Sequence, residues 1–523
     1  MAGSGGRIRW VAFLLAKIVV LLTDSAEGRQ AVIAAGAKPA SKHIAPDRGF
    51  RCSFRDPGGQ LVCVDNRIFR FVSPQGQSAL KDFLSTETAH RFQEAARLVS
   101  SKALTTEEAA VLRTRISSQV AGIKAEWGVL EHSKIDFPSF PYEWPPEMLY
   151  AAGVLTLDLA QTALKEGMGL KDASPYNVLF EGPNPVFVDL LSFERRYPRD
   201  FTWRAYGQFV RTFLLPLALN KFCGSSVDRL FLAKRDGIRP EEVCRQLTLP
   251  QKLRFPFRTL ATLPTWLTGK FSVSTPPVRQ RVAHSDEQGR FILEALLRRT
   301  RRLLDRLEPA ANQASKWSGY DSSNRYSSAG AQVKEAFVKD ALREFQPKKV
   351  LDIGANRGRY SEMAARHGAV VVAIDSDYVV MGELWRRARS EGLNILPLVV
   401  NLATPSPAMG WRNRESSSFL NRAREHFDAV LMLAVVHHLL VTDGIPLSEI
   451  LEASTELTRD LLLIEFVPPD DPMFRQLAYG REELHASLTQ STFEELCQEY
   501  YHIVRSQLIT GTERRLYLIR KRR

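Results

Sequence analysis

The chain has 523 residues, which at roughly 100–200 residues per domain predicts two to four domains. A hydrophobic share of 44% with 25% charged residues excludes a disordered, collagenous or polytopic membrane chain. Lys and Arg (71) exceed Asp and Glu (58) by 13, but 11 of those charges fall in two short stretches. One is residues 251–310, with 12 basic and 5 acidic side chains; the other is the tail Arg520-Lys521-Arg522-Arg523. The rest is nearly neutral, which disfavours a nucleic-acid groove and favours a solvated, Arg-rich connecting helix.

Cys52, Cys63, Cys223, Cys244 and Cys497 are odd in number and far apart, with no C-x-x-C pair. Neither a disulfide framework nor a zinc knuckle is indicated, and a reducing, cytoplasmic location is expected. The apolar run Ile8–Leu22 is short of the roughly 20 residues that span a bilayer, and Lys17 interrupts it. No clean A-x-A site follows, so residues 1–46 read as a poorly ordered or surface-lying extension rather than a spanning helix or a signal peptide.

Arg51 to Val72 alternates apolar and polar residues around Asp56-Pro57-Gly58-Gly59, which predicts a hairpin turning there. A helix-rich stretch through Glu131 follows, then a proline cluster, then a long helix from about Pro146 to Glu166. Val178–Phe180 and Val186–Leu190 read as strands around the turn Glu181-Gly182-Pro183-Asn184. Helical periodicity returns at Trp203–Phe222 and, after a basic Pro-containing segment, at Phe291–Leu307. A domain boundary is placed near 310. Beyond Val333, helices alternate with the wholly apolar runs Val350–Ile353, Val370–Ile374, Ile395–Val400, Ala429–Leu433 and Leu461–Phe466. Such runs mark strands buried on both faces, hence a doubly wound α/β domain. A helix capped by Ser491 or Thr492 and an antiparallel pair, Ile503–Ile509 with Arg515–Ile519, complete it.

The chemistry concentrates in VLDIGANRGRYSEMAARHG. Gly354 and Gly358 let the backbone pass close beneath a ligand at the carboxyl end of the first strand, the binding edge of open α/β sheets. Asp352 stands just before that loop, where a pyrophosphate would be repelled and a cationic cofactor favoured. The charge logic disfavours NAD and selects S-adenosylmethionine. Asp375 ends the second strand, where a carboxylate can accept from two ribose hydroxyls. Asn401 at the end of the third is placed for an adenine edge, and Ala434 after the fourth for the sulfonium. Asp352, Gly354, Asn356 and Gly358 are expected to shape the methionine pocket.

Taken in order, these elements resemble the class I S-adenosylmethionine-dependent methyltransferases over about residues 313–523. FPYEW (140–144), LKDASPYNVLF (170–180), PVFVDLLSFE (185–194), AVVHHLL (434–440) and EFVPPDDPMF (465–474) extend the likeness to large bacterial methyltransferases of the host-specific nodulation type. That resemblance implies a two-part protein and leaves the acceptor open.

Methyl transfer needs an aligned acceptor, excluded water and, for some acceptors, a base. His437 and His438 are base candidates, with packing as the alternative reading of either. Glu465, Asp470 and Asp471 follow the fifth strand as candidates for ligating a metal or holding an acceptor hydroxyl, with solvated loop acids as the alternative reading, and no clear metal-ligand spacing joins them. Trp411, Arg412 and Arg414, in the long connection 403–427, are candidates to cover an acceptor and grip an anionic group. Trp317, Tyr320 and Tyr326 are candidates for a lid. In the first half, Asp172 and Asn177 stand five apart and Asp189 ends an apolar run, resembling the catalytic loop and metal-binding Asp of protein and aminoglycoside kinases. Leu170 replaces the His that would precede the loop, and Leu190-Leu191 replaces the Phe-Gly after the metal Asp.

The combined expectation is an extension (1–46), an α+β N-terminal module with a kinase-like motif (47–250), a basic connecting segment (251–312) and a Rossmann-like methyltransferase domain with an antiparallel terminal strand (313–523). The expected function is S-adenosylmethionine-dependent methylation of a small-molecule, glycan or lipid acceptor chosen by the N-terminal module. A bifunctional enzyme with phosphotransferase activity and a noncatalytic cofactor-binding scaffold remain as alternatives.

Overall fold

Apolar runs flanked by helices set the architecture of the second half. The computed structural model describes residues 50, 51, 56, 58–116, 123–270, 282–311 and 328–522. Here the expected runs become β10 (Lys349–Ile353), β11 (Val370–Asp375), β12 (Ile395–Val399), β13 (Phe427–Met432) and β14 (Thr458–Phe466), all parallel. The terminal pair β15 (Tyr501–Leu508) and β16 (Arg515–Lys521) joins with β16 antiparallel to β14, so the seven strands run β12-β11-β10-β13-β14-β16-β15.

Alternation along each strand divides its side chains between two cores. Leu351, Ile353, Val372 and Ile374 face one, while Val350, Val371 and Ala373 face the other with Phe337, Val338 and Ala341 of the Ser328–Phe345 helix. Both faces are therefore covered, and this is why the strands carry almost no polar residues.

The first core is continuous with that of the N-terminal half, which contributes Trp144, Phe180 and Phe213 to the same apolar cluster. The Pro146–Lys165 helix packs on the Tyr378–Glu391 helix, and the indole N–H of Trp385 donates to the carbonyl of Pro183 at 3.1 Å. Glu143, within FPYEW, is fully buried. Its carboxylate accepts from the Arg422 guanidinium and the Ser406 hydroxyl, both from the second half, and from the N–H of Phe140 at 3.2 Å.

The N-terminal half holds a five-stranded antiparallel sheet ordered β1-β2-β3-β5-β4, from β1 (Phe50–Arg51), β2 (Gly59–Val64), β3 (Arg67–Val72), β4 (Ser101–Ala103) and β5 (Gly128–His132). Two short pairs follow: β6 (Met168–Leu170) with β9 (Phe193–Arg195), and β7 (Val178–Glu181) with β8 (Asn184–Phe187). The hairpin expected around Asp56–Gly59 is present, with β1 and β2 pairing antiparallel on either side of Asp56 and Gly58. A second hairpin, unforeseen, joins β2 to β3 and turns at Asp65-Asn66, both at positive φ. Asn and Asp tolerate this left-handed conformation, so the pair supplies a two-residue turn. The stretch read as helix-rich through Glu131 contains β4 and β5, strands too short to impose a period on the sequence.

The expected helix at Trp203–Phe222 spans Tyr206–Cys223 and contains a π turn at Val210–Leu214. The last helix is capped by Thr489, whose hydroxyl accepts from the N–H of Thr492, rather than by Ser491 or Thr492. Cys223, Cys244 and Cys497 are free thiols. Among the described residues no helix is long and apolar enough to cross a membrane. Residues 1–46, Cys52, Trp317, Tyr320 and Tyr326 lie outside the described residues.

Candidate active site

The strand order reverses between β10 and β13, and a crevice opens there at the strands' carboxyl ends, as the topology of an open α/β sheet requires. It is a cavity of about 340 Å³. Asp352, Gly354, Asn356, Asp375, Asn401 and Ala434 all line it, contributed by the ends of four different strands.

The loop after β10 is held by short-range pairing. The N–H groups of Gly354 and Ala355 donate to the carbonyl of Ile374 at 2.9 and 3.0 Å, and the N–H of Asn356 donates to Asp375 Oδ2 at 3.0 Å. Gly354 sits at φ +69°, with a Cβ there falling 3.0 Å from the Val435 side chain. Gly358 does not line the cavity; at φ +81° it begins the Arg359–Arg366 helix, and its hydrogen lies where a Cβ would meet Leu384 at 2.3 Å. Ala434, at φ +58°, holds a conformation rare for a residue with a Cβ.

Two carboxyls converge on this space. Asp352 is 2% exposed, and burial pushes its carboxyl up to about 6 against the opposing hydrogen bond from Ser361 Oγ at 2.5 Å. Asp375 is also raised by burial, opposed by the N–H groups of Asp377 and Asn356. Asn356 Oδ1 is buried with no hydrogen-bond partner, an acceptor left for a donor in the cavity. Asn401 is exposed and its Oδ1 accepts from the N–H of Ala403 at 2.9 Å, so its amide nitrogen is the group it can offer a base edge.

The two histidines separate. His438 lines the cavity. His437 points into the protein, fully buried, with neither ring nitrogen hydrogen-bonded; burial pulls it down to about 3, so it stays neutral. Glu465 is fully buried and engaged, with Lys334 Nζ at 2.6 Å and Arg514 at 3.5 Å, while Arg514 also pairs with Asp471 at 2.8 Å. Asp470 is exposed and pairs with Arg475. Trp411 is 64% exposed, and neither it nor Arg412 or Arg414 lines the cavity.

Sequence reasoning missed Lys334, Tyr360, Thr442 and Asp443, all of which line the cavity. Lys334 left a signal: with Phe337, Val338 and Ala341 it forms the i, i+3, i+4, i+7 face of its helix, a lysine on an otherwise apolar stripe. Its ammonium lies 5.3 Å from the Tyr360 ring centroid. Thr442 follows His438 by one helical turn.

In the N-terminal half, Asp172, Asn177 and Asp189 are drawn together. Asn177 Nδ2 donates to Ser192 Oγ at 3.1 Å, the Ser192 hydroxyl donates to Asp189, and Asn177 Nδ2 lies 3.5 Å from the carbonyl of Asp172. Arg70, on β3, reaches Asp189 Oδ1 at 2.6 Å. Burial pushes the Asp189 carboxyl up, and Arg70 with Ser192 outweighs it, holding the group below its ordinary value.

No family model matches the chain. Nodulation protein NoeA of Rhizobium meliloti (strain 1021) is 29% identical over 471 residues, 89% of this chain and 94% of that protein. Among solved structures, N-methyltransferase NodS from Bradyrhizobium japonicum WM9 with S-adenosyl-L-homocysteine matches 41% of this chain and 95% of its own, at 14% identity and TM-score 0.29. Magnesium protoporphyrin IX methyltransferase (ChlM) from Synechocystis PCC 6803 matches 37% and 84%, at 17% identity and TM-score 0.28. The fold assignment rests on the strand order β12-β11-β10-β13-β14-β16-β15 with its one antiparallel strand, not on these two likenesses. The chain thus carries a doubly wound α/β sheet with one antiparallel strand and is similar over most of its length to a nodulation protein.

Proposed function

We propose that the chain transfers the methyl group of S-adenosylmethionine to a small-molecule, glycan or lipid acceptor, with residues 47–250 selecting the acceptor and residues 313–523 carrying the reaction. The observation that carries this reading is the convergence of Asp352 and Asp375 on one cavity at the sheet's switch point, beside the unmatched Asn356 Oδ1. Asp375 accepts from the ribose hydroxyls, Asn401 meets the adenine edge, and Asp352 and Asn356 hold the cationic methionine end. When bound, the cofactor supplies a carbon activated by its sulfonium leaving group. The chain aligns the acceptor and excludes water. His438, on the cavity wall, takes the acceptor's proton where one must leave; His437, neutral and enclosed, supports the turn. Glu465 acts through Lys334, fixing the ammonium at the cavity. Incubation of the full chain with methyl-labelled cofactor and cell extract tests the reading. Labelled product with S-adenosylhomocysteine supports it; cofactor binding without turnover across extracts selects the noncatalytic scaffold.

A second reading concerns the N-terminal half. Asp172, Asn177 and Asp189 keep a kinase-like order below an antiparallel sheet, and Arg70 fills the position a cation would take at Asp189. We infer a phosphotransferase-like scaffold in which a guanidinium stands in for a metal ion, leaving the module to bind rather than phosphorylate. Transfer of phosphate from Mg-ATP, abolished by Asp189→Ala, would overturn this and establish a bifunctional enzyme.

A further inference from the structure

A second cavity, of about 490 Å³, lies between Ser174 of the LKDASPYN loop, the helical residues Gln208, Arg211 and Thr212, and the turn Lys234–Gly237 with Arg239 and Glu242 beyond it. Four cationic side chains line it against two acids, Asp236 and Glu242. Lys234 is matched by Glu242 at 2.6 Å. Arg235 lies over the Tyr176 ring, 4.7 Å from its centroid, and pairs with Glu415 of the second half at 2.8 Å. Asp236, its side chain 92% exposed, lies 3.9 Å from Arg235. Arg211 and Arg239 have no ion-pair partner among the described residues. The cavity therefore keeps a net positive charge, centred on Arg211 and Arg239.

The backbone builds this arrangement at a conformational cost. Arg211 sits in the π turn Val210–Leu214, a local widening frequently found at functional positions. The Lys234–Gly237 turn is pressed onto that π turn. The N–H of Ile238 donates to the Arg211 carbonyl at 3.1 Å, and at Gly237, with φ +80°, a Cβ would stand 2.4 Å from that same oxygen. Only glycine fits there. Gln208 ties the wall to the loop by accepting the N–H of Ala173 at 2.9 Å. The cations are thus presented from a braced frame, which lowers the ordering cost of binding.

We propose that this cavity binds a doubly charged oxyanion, a phosphate or sulfate ester, gripped by the guanidiniums of Arg211 and Arg239. Planar, forked donors suit tetrahedral oxyanions better than ammonium groups do. The site does not depend on methyl transfer, and it places its ligand beside the loop that carries Asp172 and Asn177.

Calorimetric titration of the full chain at low salt with inorganic phosphate, and separately with inorganic sulfate, tests this. Saturable binding is expected for at least one of them, weakened at least tenfold by Arg211→Ala and by Arg239→Ala and declining as salt rises. S-adenosylmethionine binding, measured in parallel, should hold constant and so certify folding. Tighter phosphate than sulfate identifies a phosphate ester as the natural ligand, and the reverse a sulfate ester. Should Arg211→Ala fail to fold, Arg211→Lys with Arg239→Glu serves instead. Absence of saturable binding for either anion, or affinity unmoved by both substitutions, overturns the proposal.

Discussion

Replacing Asp375 by alanine is the most direct challenge to the cofactor site. Its Oδ1 accepts from the N–H of Asp377 and its Oδ2 from the N–H of Asn356, each at 3.0 Å, and each oxygen retains a lone pair toward the cavity. Two ribose hydroxyls donating to a charged acceptor contribute about 1.5–3 kcal/mol each. Burial that disfavours the carboxylate, and competition from those N–H groups, reduces the net. A tenfold loss of affinity, about 1.4 kcal/mol, is the least that should remain. Because the ribose is common to both ligands, titration with S-adenosylmethionine and with S-adenosylhomocysteine should show equal losses. Asp375→Asn, which keeps one acceptor oxygen for the loop, should bind better than the alanine variant. Unchanged affinity in Asp375→Ala would refute the placement of the ribose, and with it the assignment of the other strand-end residues.

Asp352 gives a pH signature. Its carboxyl, raised from 3.8 to about 6, is protonated in the folded protein over a range where the unfolded chain is ionised. Its contribution to stability is therefore greatest below pH 3.8 and is lost as pH rises through about 6, whereas its attraction for a cation appears over that same rise. Affinity for S-adenosylmethionine should increase between pH 5 and 7, and Asp352→Asn should flatten the increase. Glu143→Ala strands Arg422, whose side chain is 6% exposed, in a buried contact between the two halves. A loss of about 3–5 kcal/mol is expected, read as a lowered unfolding midpoint, with Glu143→Ala/Arg422→Met recovering part of it. Gly358→Ala forces a Cβ to 2.3 Å from Leu384 in a left-handed conformation. It should cost roughly 1–3 kcal/mol, and Leu384→Ala in the same chain should relieve only the steric share.

The sequence by itself determined the parts encoded in neighbouring residues. Five apolar strand runs, the Gly354 and Gly358 turn and the acid closing β11 are local signals, and each stands where the reading placed it along the chain. The same holds for the close spacing of Asp172, Asn177 and Asp189. Only the tertiary structure decided which charges meet. Arg70 reaches Asp189 across 119 residues, Arg422 reaches Glu143 across 279, and Lys334 reaches Glu465 across 131. A buried charge needs a partner, but the partner's identity is set by how helices and sheets pack, and no period in the chain records it. The strands β4 and β5 escaped for a related reason: three- and five-residue segments gain their order from the ladder they join, so their neighbours define them more than their own residues do.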